Sequence, residues 1–217
     1  MRLSQNFLIN RLILSDIKNY ISKLRPLIEI GCGKGYLSAY VNPDICIEID
    51  QDLLYLLKEY NPVHADARFL PVNRGQIVSS LPYSITYEFF DQITQFSDII
   101  RLTLILQEDF VKKVLEYPTY ISFLINFYFN IMKVYSIPPS AFRPEPKVFS
   151  SLVIFERKRK FIPEINSIIK CISFYRNKSL RNVSRLCGLN SSNSKKVREY
   201  KPWEIEELLN SLGLNYA

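Results

Sequence analysis

The sequence predicts an α/β fold: a mainly parallel, doubly wound sheet over most of the chain, followed by a small helical domain. Three observations predict it. Short apolar runs alternate with segments of helical spacing, a glycine-rich loop closes the first run, and past Phe155 the strand signals give way to helices.

Leu27–Ile30 is a short apolar strand that ends in Gly31-Cys32-Gly33-Lys34-Gly35, and Leu37–Val41 starts the helix behind it. Cys46–Ile49 reads as a second strand, and Leu53–Glu59 as a helix. Gln76–Ser79 leads to a third strand end at Leu81-Pro82. Leu102–Leu106 is an apolar strand followed by a helix carrying Phe110, Val111, Val114 and Leu115, and Ser151–Phe155 is a late strand. Strands separated by helices form βαβ units, which build parallel sheets that bind ligands at the carboxyl ends of their strands. Ile165–Tyr175, Asn182–Cys187 and Pro202–Leu212 read as short helices, the last with Pro202 near its first turn. The expected division is therefore a domain over 1–155 and a small helical domain over 156–217.

At 217 residues the chain is long enough to bury a full core. No run of about 18 uninterrupted apolar residues suggests a membrane span; the most apolar window, Ile121 to Tyr135, is broken by Asn126, Asn130 and Lys133. Ser4, Gln5 and Asn6 interrupt what would be the apolar run of a signal peptide. A cytoplasmic protein with no membrane partner, acting as a monomer, is expected. The four cysteines, at 32, 46, 171 and 187, form no CxxC pair, so reduced, packed thiols and no metal site are expected. The lone His64 reads as an ordinary hydrogen-bonded side chain.

Charge is unevenly placed. Residues 1–155 hold 15 Lys+Arg against 15 Asp+Glu, and residues 156–217 hold 13 against 6, so the whole net charge of +7 lies in the tail. Arg157, Lys158, Arg159 and Lys160 open it, and Arg176, Lys178, Arg181 and Arg185 follow. A neutral body with a basic appendage is an electrostatic footprint for phosphate backbones, although a solvated helical face has the same composition.

Four motifs carry chemistry. The first, Glu29 to Gly35, lies at a strand end just before a helix, where Gly31 and Gly33 let the backbone turn tightly and approach a ligand. Its GxGxG spacing places Tyr36 where a dinucleotide fingerprint needs glycine, which favours an adenosyl ligand without a pyrophosphate. The second is an acid at the next strand end, Glu48 or Asp50, able to accept from ribose hydroxyls; Asp66 is a similar acceptor for the amine of a cofactor adenine. The third is Ser80-Leu81-Pro82-Tyr83, which fits the (Asn/Asp/Ser)-x-Pro-(Tyr/Phe) pattern of amino-methyltransferases. An adenine amine is a poor nucleophile; the Ser80 side chain and the Pro82 carbonyl would hold its hydrogens, and the flat face of Tyr83 would stack an extruded base. The fourth is the proline-stiffened loop from Pro138 to Ser150, which contains Phe142.

With these residues in view, the chain resembles the ribosomal RNA adenine dimethyltransferases over roughly residues 3–155. Leu3-Ser4-Gln5-Asn6-Phe7-Leu8 is similar to the family's opening signature, which implies that Asn6 and Leu8 line a pocket for S-adenosylmethionine. Gln107-Glu108 resembles a shared strand-to-helix element, and Phe174 to Asn182 a basic helix that opens the family's RNA-binding domain. The resemblance implies a Rossmann-like methyltransferase domain with Gly31, Gly33, Glu48, Asp66 and Ser80 at the cofactor and Phe142 facing Tyr83 across the target base. It also implies a basic lobe (Arg157, Lys158, Arg159, Lys160, Arg176, Lys178, Arg181) on the RNA, with ribosomal RNA in a pre-small-subunit particle as partner. Two departures stand out: Ser80 replaces the usual asparagine, and the tail is shorter than is usual. Ser80 motivates a competing reading, a catalytically weak ribosome-assembly factor. A DNA adenine methyltransferase would share Ser80–Tyr83 but not the proline loop.

Overall fold

The computed structural model describes residues 6–216. In chain order its elements are β1 (Phe7–Leu8), α1 (Arg11–Ile17), β2 (Leu27–Ile30), α2 (Ser38–Val41), β3 (Ile45–Glu48) and β4 (Pro62–His64). Then come β5 (Arg74–Ser80), α3 (Thr86–Ile93), β6 (Asp98–Gln107), α4 (Glu108–Glu116), α5 (Tyr120–Tyr128) and β7 (Phe129–Ile137). The series closes with β8 (Phe142–Arg143), β9 (Ser150–Arg157), α6 (Pro163–Phe174), α7 (Leu180–Leu186) and α8 (Ile205–Asn210). Leu53–Glu59, expected to be α-helical, lies in a 3-10 helix over Gln51–Tyr60.

Two compact units share the chain. One runs through Glu108 and takes in Ile131–Arg157; the other holds Asp109–Asn130 and everything from Lys158 on. The chain passes from one unit to the other at 108/109, 130/131 and 157/158, whereas the division read from the sequence falls once, at 155/156.

The first unit is built on a seven-stranded sheet in the order β4-β3-β2-β5-β6-β9-β7. Strands β4 through β6 pair in parallel, and β9 runs antiparallel to β6. The central strands are apolar on both faces, as strands covered on both sides must be: β2 is buried throughout, and Ile77, Val78, Leu102 and Leu104 are almost fully covered. Order reverses at β2, which has β3 on one side and β5 on the other. That switch point opens a crevice at the carboxyl ends of these strands. A separate two-stranded ribbon pairs β1 with β8 (Leu8 opposite Phe142), so the start of the chain is bound to the proline loop.

Helix α5 explains the apolar window. Eight of its residues, Ile121 to Tyr128, are buried, so it is the core helix of the second unit rather than a surface one. Asn126 fits there because its amide donates to the Val114 and Ser122 carbonyls. Strand β7 continues the same apolar run, which is why periodicity alone did not separate the two. Helix α6 buries Ile165, Ile169 and Ile172 on one stripe, and α8 buries Ile205, Leu208 and Leu209.

The cysteines correct one expectation. Cys32 and Cys46 are free and buried, but Cys171 and Cys187 form a disulfide, their Cα atoms 6.0 Å apart. Cys171 lies on α6 and Cys187 caps α7; the turn between these helices brings the two together, which a spacing of 16 residues does not reveal. Closing a loop of that size contributes about 3 kcal/mol in the chain-entropy account. Cys171→Ser, or reduction of the wild type, should lower stability by about that amount in denaturant titrations; Cys171→Ser should then be insensitive to reductant, whereas Cys46→Ser should still lose that stability on reduction.

Candidate active site

The crevice at the switch point is a cavity of ≈ 330 Å³ whose lining comes from distant stretches of chain. Asn6, Leu8, Gly31, Gly33, Glu48, Asp66, Ser80, Pro82, Tyr83 and Phe142 all border it. Of the opening hexapeptide, Leu3, Ser4 and Gln5 lie outside the described residues.

The glycine loop forms one wall. Gly33 has φ +55°, and a Cβ there would lie 2.6 Å from the Phe7 ring, so both backbone and space require glycine. Glu48 holds the loop: one carboxylate oxygen accepts from the Gly33 N–H at 2.7 Å and the other from the Asp50 N–H at 2.9 Å. Each oxygen keeps a lone pair for a second donor. Asp50, the alternative acid, caps the 3-10 helix at Asp52 instead. Beneath the loop lies a buried cluster. Burial pushes the Glu29 carboxyl well above the usual carboxylate range, with Cys46 and Glu48 adding to it, and burial likewise raises the Cys32 thiol. The Cys32 thiol donates to the Glu29 carbonyl at 3.3 Å and Cys46 lies 3.5 Å from Ser38 Oγ, so the cluster is satisfied within the fold.

Asp66 is engaged more than its sequence position suggested. Arg68, which the motif reading missed, grips both of its oxygens, with Nη2 2.5 Å away. This bond holds the Asp66 carboxyl below its ordinary pKa. Phe7 and Tyr36, which belong to motifs but were given no role at the ligand, also line the cavity, as does Glu88; a lone acid between motifs carries no spacing signal.

On the opposite wall, Ser80 ends β5 and its hydroxyl has no hydrogen-bond partner among the described residues. The Pro82 carbonyl, expected to face a ligand amine, accepts from the Ile85 N–H at 3.2 Å and the Thr86 hydroxyl at 3.4 Å, both in the turn that follows it. Tyr83 is partly buried, its hydroxyl 2.5 Å from Ser150 Oγ. Phe142 borders the same cavity but is only 1% exposed, packed with Leu8, Leu37 and Ala141. Glu108 accepts from Lys133 and from the hydroxyls of Ser136 and Ser151, tying the end of β6 to β7 and β9. His64 is an exposed side chain on the edge strand, hydrogen-bonded to the Ile49 carbonyl at 2.9 Å.

Part of the basic run at 157–160 is engaged by contacts within the fold. The Arg157 guanidinium donates to the carbonyls of Ile93, Thr94 and Ile99, closing the end of α3. Arg159 lies 4.3 Å from the centre of the Phe127 ring and pairs with Glu206, as Lys158 does. These side chains are spent on the fold, because long cations next to carbonyls, rings and carboxylates are stabilised there. Lys160, Arg176, Lys178 and Arg181 are exposed. Arg176 donates to the Pro118 carbonyl at 3.4 Å and Arg181 to the Ser192 carbonyl at 3.2 Å.

A family profile described as ribosomal RNA adenine dimethylase matches residues 1–199. A Mesomycoplasma hyopneumoniae protein named ribosomal RNA small subunit methyltransferase A is 30% identical, over 71% of this chain and 68% of its own. A Streptococcus sanguinis rRNA adenine N-6-methyltransferase is 28% identical, over 76% and 74%. Among solved structures, the 23S rRNA methyltransferase ErmE superposes with a TM-score of 0.71 at 20% identity, over 96% of this chain and all of its own. A dimethyladenosine transferase from Plasmodium falciparum gives 0.69 at 21%, over 82% and 74%. The two superpositions establish a shared fold.

Gly33→Ala should cost about 1–2 kcal/mol from its left-handed backbone alone, read by denaturant titration. Arg157→Ala strands three carbonyls and should cost at least about 2 kcal/mol, a loss of stability visible without any nucleic acid present.

Proposed function

The chain belongs to the ribosomal RNA adenine dimethylase family, and from that premise we propose how its cavity performs the methylation. It is an enzyme that methylates adenine amines of ribosomal RNA, with a Rossmann-like methyltransferase fold. The observation that supports the detailed reading is the convergence of the glycine loop, Glu48, Asp66, Ser80, Tyr83 and Phe142 on one cavity.

S-adenosylmethionine supplies an electrophilic methyl group on a sulfonium. The donor set fits that molecule: a loop with no room for a Cβ at Gly33, a carboxylate at Glu48 with capacity left for ribose hydroxyls, and an oriented carboxylate at Asp66 for an adenine amine. Asn6 and Leu8 close the cavity from the ribbon side. The target adenine leaves its stack and lies against Tyr83, with Phe142 opposite once that ring turns out of its packed position. The Ser80 hydroxyl accepts from the amine. Because the Pro82 carbonyl is taken up by its own turn, the backbone acceptor assigned here is the carbonyl of Leu81, which also borders the cavity and has no partner among the described residues. In-line transfer then needs orientation more than acid–base chemistry. Serine reaches less far than asparagine, so Ser80 sets how the amine is held, and a second methylation follows only if the monomethyl product fits.

Lys160, Arg176, Lys178 and Arg181 carry phosphate binding, with Phe174, 81% exposed, beside them. Among the described residues no helix is long and apolar enough to cross a membrane. The substrate we assign is a pre-small-subunit particle, met by a monomer in the cytoplasm. The Cys171–Cys187 bridge runs against that setting, since reducing compartments seldom keep disulfides.

Labelled S-adenosylmethionine with immature small subunits lacking the modification should yield labelled dimethyladenine; intact cofactor binding with no label in the RNA would refute the reading. Ser80→Asn separates a working serine, where the rate holds or falls, from a lapsed enzyme, where it rises steeply. Lys178→Ala should lower the slope of log affinity against log salt by about 1, and Arg157→Ala should leave that slope unchanged.

A further inference from the structure

The bond between Tyr83 and Ser150 carries an assignment that rests on the adenine-transfer reading above. Tyr83 opens a three-residue 3-10 turn, Tyr83–Ile85, held by the bond from the Ile85 N–H to the Pro82 carbonyl and by the Thr86 hydroxyl, which donates to the Pro82 and Tyr83 carbonyls. So short a turn leaves the ring two torsions to swing about. Its hydroxyl, however, lies 2.5 Å from Ser150 Oγ. Ser150 is fully buried, opens β9, and is registered against Gln107 of β6, so its oxygen is fixed by the sheet and not by a loop. It is also the residue at which the proline loop carrying Phe142 rejoins the sheet. Ser150 does not border the cavity, whereas Tyr83 does. Burial raises the Tyr83 phenol above its ordinary pKa, which keeps the hydroxyl a neutral hydrogen-bonding group.

We propose that Ser150 is a positioning residue for methyl transfer: it fixes the plane of the Tyr83 ring, and through it the angle at which a stacked adenine presents its amine, without itself touching substrate. Orientation dominates an in-line transfer, so a ring free to rock costs rate more than binding.

The test is a double-mutant cycle on the full-length protein with Ser150→Ala, Tyr83→Phe and both together, plus Ser150→Thr. Losing one neutral hydrogen bond predicts a fall in kcat of about fivefold to tenfold for Ser150→Ala, with KM for RNA and cofactor affinity within about twofold of wild type. Ser150→Thr keeps the hydroxyl and should recover most of the rate. The double variant should be no slower than Tyr83→Phe alone, because both changes delete the same bond. A Ser150→Ala enzyme turning over at the wild-type rate, or rate losses that simply multiply, would overturn the assignment. If the wild type transfers nothing to RNA, the adenine reading falls separately.

Discussion

The hydrogen bond from the Gly33 N–H to Glu48 is the constraint on which the site depends. The glycine loop leaves β2 with Gly31, Gly33 and Gly35 all in the left-handed region, so no regular ladder stabilises it. Its few fixed points are the Gly31 N–H on the Ile47 carbonyl, the Gly35 N–H on the Cys32 carbonyl, and the Glu48 carboxylate. Two of these three run to β3, which parallel pairing places beside β2. The loop is therefore shaped by its neighbouring strand as much as by its own glycines.

Once the loop is fixed, other parts of the first unit fall into register with it. Phe7 lies over Gly33 and meets Tyr36 edge-on, with Lys34 above its ring. Phe7 belongs to β1, β1 pairs with β8, and the Ala141 carbonyl accepts from Ile9 and Asn10. The proline loop is thus tied to the start of the chain, and Phe142 reaches the cavity from a position remote in sequence from Gly33. Tyr83 and Ser150 make the corresponding tie between the end of β5 and the start of β9. Hydrogen bonds between strand ends thus tie the cavity walls to one another.

The basic residues of the tail divide by what surrounds them. Arg157 serves the first unit as a clamp on three carbonyls, and Arg159 serves the second as a cation over an aromatic ring. A guanidinium with five donors is well suited to such interior work. The cations on α7 and the turn before it, Arg176, Lys178 and Arg181, are exposed. Composition located the surplus charge correctly but did not distinguish the two uses.

The sequence by itself determined the alternation of strands and helices, the glycine loop at a strand end, and the turn from Ser80 to Tyr83, because each follows from local spacing or from a backbone that only certain residues adopt. It also named some of the residues that border the cavity, through motifs whose chemistry is local, but not Arg68 or Glu88. It did not separate α5 from β7, since a fully buried helix and a following strand read as one apolar run. Nor did it disclose the Cys171–Cys187 bridge, the Arg68 grip on Asp66, the occupied Pro82 carbonyl or the Ser150 contact. Each of these depends on where a chain returns after a loop, and which of Glu48 and Asp50 turns toward the cavity depends on how β3 lies beside β2. Those are matters of strand order and register, set by burial of the whole sheet, and tertiary structure alone decided them.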